Sequence, residues 1–476
     1  MSQLKFMKIG VTVSAAIAKE TVLSKLINMI NVFRIDVANK PFDDVQKKYI
    51  DTILKLDDSK TIVLETKWEQ ITLKNISALS YQEGSQFTVE YSHIDEDSDS
   101  ILFVNYSYLS EIPVWASIGF EWSDLVADVI HNYDGMITCT AKRSGTIQPK
   151  SKILFFGYKP KLSFLSEKDK KDIIRWIQSG VNLLAASAVK SSDDIIDMRN
   201  FLQHNNWEWI KIYTRLHHSD MLQELESIIK VSDGIVLNYE HIGRAQWQYT
   251  MESLILLIKK YGKPVMICLS LEDIENENIF RNNITTYIKR WIDLVMVEDN
   301  VTENKLPVET IQSLTNMFID AEMSNCHESV YDRFTYIIDN HIYEANYMIT
   351  LLPKIIQDID AKVIICYTST WVTAAKIASL KLSIPSIVFT KNDPVYRYNN
   401  LLWSVKWYRI WQTSTYSQFK QIGKEMIRMH FKGNISLDDK VIILSLVEPS
   451  SHGILSQDSS IESMINGIEV YKFKNI

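Results

Sequence analysis

Glu167-Lys-Asp-Lys-Lys-Asp-Ile-Ile-Arg-Trp-Ile-Gln178, followed after a short break by Leu183-Leu-Ala-Ala-Ser-Ala-Val189, holds the fold in miniature. In the first half Ile173, Ile174 and Ile177 recur at helical spacing, with Lys168, Asp172 and Arg175 on the other side, the pattern of a helix with one buried face. The second half is apolar apart from Ser187, as in a strand covered on both faces. The same helix-and-strand rhythm continues outward in both directions. Upstream, strands are expected at Lys8 to Val13, Val32 to Val37 and Thr61 to Thr66. Downstream they are expected at Ile210 to Leu216, Gly234 to Glu240, Pro264 to Ser270 and Leu294 to Asp299. With Leu183 to Val189 this gives eight β/α units, the count of a TIM (β/α)8 barrel.

The rhythm breaks once. Between Thr66 and Leu183 lie far more residues than a βα loop needs, and alternating stretches such as Gln86-Phe-Thr-Val-Glu-Tyr91 read as strands. The expected plan is a discontinuous barrel, residues 1–72 and 152–324, with a β-rich domain inserted at 73–151. Acidic Asp95 to Asp99 reads as a solvated loop in that insertion. Residues 325–476 form a third, α/β unit, with helices from roughly Glu328 to Asp358 and strands at Lys362 to Thr368, Ser386 to Lys391, Lys440 to Leu446 and Gly467 to Phe473.

Composition narrows the function classes. The 476 residues carry 51 basic and 58 acidic side chains, a net charge of −7, so nucleic acid and anionic membrane are poor partners. Four cysteines stand far apart with no CxxC spacing, which excludes a disulfide framework or zinc knuckle and fits a cytoplasmic setting. Lys5 and Lys8 ahead of an apolar run ending in Ser14-Ala-Ala-Ile-Ala18 imitate a secretory leader, but the segment reads better as the first barrel strand. Glycine is scarce: 14 residues, about 3% against a usual value near 7%, which argues against a glycine-rich phosphate cradle.

Several scaffold segments resemble the pyruvate kinase family. Lys8-Ile-Gly-Val-Thr-Val is similar to its K-I-V-C-T-I, and Asn31-Val-Phe-Arg-Ile-Asp-Val-Ala-Asn to its N-V-A-R-L-N-F-S-H. Glu65-Thr-Lys-Trp-Glu-Gln-Ile resembles D-T-K-G-P-E-I. Leu165-Ser-Glu-Lys-Asp-Lys-Lys-Asp-Ile through Asn182-Leu-Leu-Ala-Ala-Ser-Ala-Val is the most specific match, to L-T-E-K-D-x-x-D-I through D-F-I-A-A-S-F-V. Ser232-Asp-Gly-Ile-Val-Leu and Gly262-Lys-Pro-Val stand where the family has A-D-G-L-M-V and G-K-P-V.

The likeness stops where barrel chemistry sits, at the C-terminal ends of the strands. The family's A-K-I-E-N, with its phosphoryl-stabilising Lys and metal-binding Glu, is here Thr214-Arg215-Leu216-His217-His218. Its second metal carboxylate, in A-R-G-D-L-G, gives way to Asn238-Tyr239-Glu240-His241-Ile242-Gly243. The proton-relaying Thr of C-A-T-Q-M is Leu269, and S-G-E-T becomes Glu298-Asp299-Asn300-Val301. Arg34, Thr66, Lys67 and Thr12 keep the family's ligand-contact positions. The potassium position becomes Asp36, Ala38, Glu65 and Thr66, in which Ala38 supplies no donor. The effector loop T-x-S-G-R-S reads Thr368-Ser369-Thr370-Trp371-Val372-Thr373, keeping hydroxyls at Thr368, Thr370 and Thr373 but losing the glycine and the arginine.

Mg²⁺ requires hard oxygen donors, so exchanging two carboxylates for His217 and His241 removes most of its cage. Phosphoryl transfer depends on positioning and charge stabilisation, and without the metal little is left to lower its barrier. Arg215 keeps a positive charge as a bulkier planar fork, expected to pack against Glu240 or Glu298. His217, His218 and His241 could alternatively hold zinc, although drift in an abandoned pocket is the preferred reading. Trp371, Trp403, Trp407, Tyr408 and Trp411 read equally as a partner surface or as core.

The resemblance therefore implies a pseudoenzyme without cofactors. It would be a structural or regulatory subunit beside a catalytically active pyruvate kinase, or a self-assembled dimer or tetramer. The competing expectations are a diverged active kinase using Mg²⁺ and K⁺ on phosphoenolpyruvate and ADP, or a ligand sensor.

Overall fold

The computed structural model describes residues 7–36, 44–66, 71–96, 98, 100–121, 123–158, 164–165, 167–187, 189–216, 219–238, 250–269, 284–285, 287, 292–298, 307–325, 347–369, 371–410, 416–431, 434–445 and 467–476. Eight parallel strands close a barrel: β1 (Lys8–Thr12), β2 (Val32–Asp36), β3 (Thr61–Glu65), β4 (Leu183–Ala186), β5 (Lys211–Leu216), β6 (Gly234–Asn238), β7 (Val265–Leu269) and β8 (Leu294–Val297). Each strand pairs with its neighbours in sequence order, and β8 returns to β1. All eight expected strands are present, because each is short and most of their side chains are apolar and buried. Between them run helices such as Ser192–His204 and Met251–Lys260; Thr250 caps the latter, accepting from the Ser253 N–H at 3.2 Å. Gly234 opens β6 because a Cβ there would lie 2.4 Å from the buried Tyr213 ring.

The insertion is a compact unit, Trp68–Ser166. Its expected limits, 73 and 151, fall inside it, since Thr72 bridges to Lys152 and strand Ile153–Phe156 pairs with Ser117–Phe120. A six-stranded sheet is centred on the hairpin Val126–Tyr133 and Met136–Arg143, whose two-residue turn, Asp134-Gly135, has positive φ at both residues. Phe87, Val89, Leu102, Ile118, Val129 and Ile137 fill its own core. Asp95 is exposed and pairs with Lys74 and Lys150, as a solvated loop should.

The other compact unit joins the barrel to the C-terminal α/β region. There β9 (Ala361–Tyr367), β10 (Ser386–Thr390), β11 (Val405–Arg409), β12 (Lys440–Ser445) and β13 (Gly467–Lys472) form one sheet in the order β11-β10-β9-β12-β13, with β13 antiparallel. β11 was not expected. It is an edge strand whose Lys406 and Arg409 interrupt the apolar pattern. Of the expected long helices, Tyr347–Thr350 and Leu352–Ile359 are described, and the part before residue 347 lies outside the described residues.

The barrel's N-terminal rim is tied to this region by buried charge. Asp293, 1% exposed just ahead of β8, accepts from Lys259 Nζ, from Lys381 Nζ at 2.7 Å and from the Val265 N–H at 2.7 Å. Lys381 also lies 4.3 Å from the Trp403 ring centre. Lys8 Nζ reaches the Val405 carbonyl at 2.7 Å, and Tyr398 OH bonds the Trp209 carbonyl. Trp371 and Trp403 are 7% and 5% exposed, so these two members of the aromatic set are core.

Candidate functional site

The C-terminal ends of β2, β3, β5 and β7 and the residue following β8 converge on four charged side chains. Arg34, the middle residue of β2, is 5% exposed. Its Nε donates to Thr12 Oγ1 on β1 at 2.9 Å, and its Nη1 donates to Glu65 Oε2 at the end of β3 at 2.9 Å. Arg215 on β5 donates to the other Glu65 oxygen, and its Nη2 lies 3.5 Å from Glu298 Oε1. Ser187 Oγ, just past β4, donates to Glu65 Oε1 at 2.9 Å. Glu298 is placed by its own N–H, which donates to the Leu269 carbonyl at 3.0 Å. These two guanidinium groups and two carboxylates sum to zero charge among themselves.

Electrostatics follow from that arrangement. Burial alone would push the Glu65 carboxyl upward, but the charges of Arg34 and Arg215 and the Ser187 and Arg215 hydrogen bonds outweigh it and hold it below the ordinary carboxylate range. Cys268 on β7 lies 4.0 Å from Arg34 Nη1. Burial pushes its thiol up to about 11, so it stands neutral beside two cations.

Of the site positions read from sequence, Arg34, Thr12, Glu65, Arg215 and Glu298 come together, and Leu269 is buried with no polar atom in its side chain. Thr66 is turned to the backbone, donating to the Ala185 carbonyl at 3.3 Å and accepting from the Ser187 N–H at 3.2 Å. Lys67, Ala38, His217, His218, Glu240, His241 and Thr370 lie outside the described residues, as does the side chain of Asp36 at the end of β2. Thr368 and Thr373 are buried, and between them Trp371 holds φ +51°, a left-handed backbone that favours glycine. Ser187 and Cys268 gave no signal of their own in sequence. Glu65 was read only as a potassium position, and its partnership with Arg215 joins residues 150 positions apart.

The family's divalent positions, at His217 and His241, and part of its potassium position lie outside the described residues. Both Glu65 oxygens are engaged by arginine, Glu298 faces Arg215, and among the described residues no three His, Cys, Asp or Glu side chains gather as a metal site.

A closed parallel barrel with a β insertion after its third strand and an α/β C-terminal region defines a class of its own. The model of the pyruvate kinase barrel domain matches residues 4–285, and that of the pyruvate kinase alpha/beta domain matches residues 348–454. The chain belongs to the pyruvate kinase family. It is 23% identical over 416 residues to the pyruvate kinase of Staphylococcus saprophyticus, covering 84% of this chain and 70% of that protein. The enzyme of a Staphylococcus aureus strain is 22% identical over 417 residues, covering 84% and 71%. Two pyruvate kinase crystal structures from Cryptosporidium parvum share the fold. They have TM-scores of 0.76 and 0.78 at 18% and 17% identity, cover 93% and 98% of this chain, and are each matched over 96% of their own length.

Proposed function

We propose that this chain is a pyruvate kinase-like pseudoenzyme of glycolysis, a cytoplasmic structural or regulatory subunit that assembles with an active pyruvate kinase or with itself. The supporting observation is the neutral four-charge network. Arg34 and Arg215 occupy positions where the family meets phosphate, yet both donate to Glu65. A phosphoryl group would have to displace two buried ion pairs to reach them, and the replaced carboxylate positions offer no hard-oxygen pair for a divalent ion. Leu269 cannot relay a proton to an enol.

The test is a coupled assay of the purified chain with phosphoenolpyruvate, ADP, K⁺ and either Mg²⁺ or Mn²⁺. No turnover is expected, and rates on the order of 1 to 100 per second overturn the proposal. Co-purification with an active pyruvate kinase from the same cells, or a dimer or tetramer by light scattering, is expected; a strict monomer refutes the subunit role.

A further inference from the structure

Exposed hydrophobic side chains concentrate in the insertion. Among the described residues sixteen large hydrophobics are exposed, and ten of them belong to Trp68–Ser166, which is 99 of the 476 residues. One face of its six-stranded sheet is accounted for, since Ile118, Phe120, Val129 and Ile137 pack into the core of the unit. The opposite face of such a sheet ordinarily alternates to polar side chains and meets water. Here strand pairing sets Phe156 beside Ser117 and Leu154 beside Gly119 on that outer face, and Met136 opposite Tyr133 at the tip of the hairpin. Trp115 heads the strand Ser117–Phe120, which lies between the edge strand Ile153–Phe156 and the hairpin. Trp115 is 68% exposed and Tyr133 82%, with Phe156, Leu154 and Met136 at 50%, 49% and 45%.

Two glycines shape this surface, in a chain that has only 14. A Cβ at Gly119 would lie 2.9 Å from the Phe156 ring, and one at Gly157 would lie 2.9 Å from the Trp115 ring, so both rings rest against bare backbone. Rings held down in this way give a smooth face, and close packing of smooth faces is what the centre of an interface requires. Charge does not oppose contact between like copies. Asp128, opposite Ser117, pairs with Lys142 at 2.7 Å, and Glu121 pairs with Lys152 at 2.9 Å, so these carboxylates are matched within one copy. Asp134 sits in the hairpin turn, at the margin where charges stay hydrated. At about 150 to 250 Å² for a whole aromatic side chain, the five side chains expose about 500 Å² per copy. Two copies meeting face to face would remove about 1,000 Å² from these side chains alone, the level a specific interface must reach.

We propose that the outer face of the insertion is a self-association surface, on which a second copy of this chain seats its own outer face about a two-fold axis. A contact of this kind is closed by its symmetry, so it gives pairs rather than filaments. Trp115 and Tyr133 are its anchors, large rigid side chains with the most exposed area to lose. The proposal rests on the self-assembly arm of the function given above and can fail alone, because copies joined through the barrel or the C-terminal region would keep that arm and leave this face bare.

Light scattering and sedimentation equilibrium of the full chain, from about 1 to 100 µM, test it. The wild type is expected as a dimer or tetramer, and Trp115→Ser/Tyr133→Ser should halve its mass or weaken association by about ten-fold or more. Val45→Ser/Ile196→Ser, which alters exposed apolar residues on two barrel helices, should keep the wild-type mass. Tyr133→Ser alone serves if the double variant loses its native circular dichroism. The proposal is overturned by a wild type that stays monomeric at about 100 µM. It is equally overturned by an assembly unchanged in Trp115→Ser/Tyr133→Ser, the result that places the contact elsewhere while self-assembly stands. A monomeric chain that captures an active pyruvate kinase, with capture lost in the same variant, overturns the choice of partner.

Discussion

Glu65→Gln is the most informative single substitution, because it keeps the shape of the side chain and removes the charge that both arginines share. The side chains of Arg34, Glu65 and Arg215 are 6%, 13% and 13% exposed, so the pairs are largely desolvated. Removing one partner of a buried pair costs about 3 to 5 kcal/mol. Arg215 keeps Glu298 and Arg34 keeps Thr12, which places the expected loss at the lower end, about 3 kcal/mol. The variant would then hold two under-neutralised guanidinium groups, and an oxyanion should become a favourable occupant. A ligand present at a hundred times its Kd stabilises the folded state by about 2.7 kcal/mol. Urea unfolding of both proteins, in chloride and in sulfate at equal ionic strength, measures this. Sulfate also stabilises proteins generally, so the wild-type response is the baseline. The variant should regain about 1 to 2 kcal/mol beyond that baseline. An initial loss below about 1 kcal/mol, or identical sulfate responses, refutes the reasoning.

Asp293→Asn strands Lys259 and Lys381 in the interior and should cost at least about 3 kcal/mol in urea unfolding, more than Lys259→Met, which leaves Asp293 paired with Lys381. Trp371→Gly relieves a left-handed backbone worth about 1 kcal/mol but removes a buried indole worth about 3 to 5, so a net loss near 3 kcal/mol is expected as a lower Tm. Burial, with the nearby Lys406 charge, pushes His430 down to about 4, so the folded ring stays neutral while the unfolded ring binds a proton below about 6.5. Its contribution is complete above pH 6.5 and lost as pH falls toward 4, and His430→Phe should flatten the stability profile across that window.

The barrel was legible because most of its strands are covered on both faces and read as largely apolar runs; Leu183 to Ala186 is the clearest case. β11 escaped because an edge strand tolerates Lys406 and Arg409, so its aromatics looked like a surface. The compact unit Trp68–Ser166 extends beyond the limits read from sequence, and the bridge of Thr72 to Lys152 inside it leaves no local pattern. In the site, Arg215 facing Glu240 or Glu298 was expected from charge alone, and it meets Glu298, whereas Glu65 was not expected. Its contact depends on which residues of β3 and β5 point inward at one level of a closed barrel, a property of closure rather than of either segment. The tie of Asp293 to Lys381 likewise joins residues whose nearness only the docked C-terminal region creates.

The alternation Arg34, Glu65, Arg215, Glu298 has a consequence at distances where no contact is made. Opposite charges interleaved at equal number act as a multipole, whose potential dies away much faster than that of a net charge. An anionic metabolite diffusing past that rim therefore feels little pull from these four groups, and any steering toward them falls away within a few ångströms.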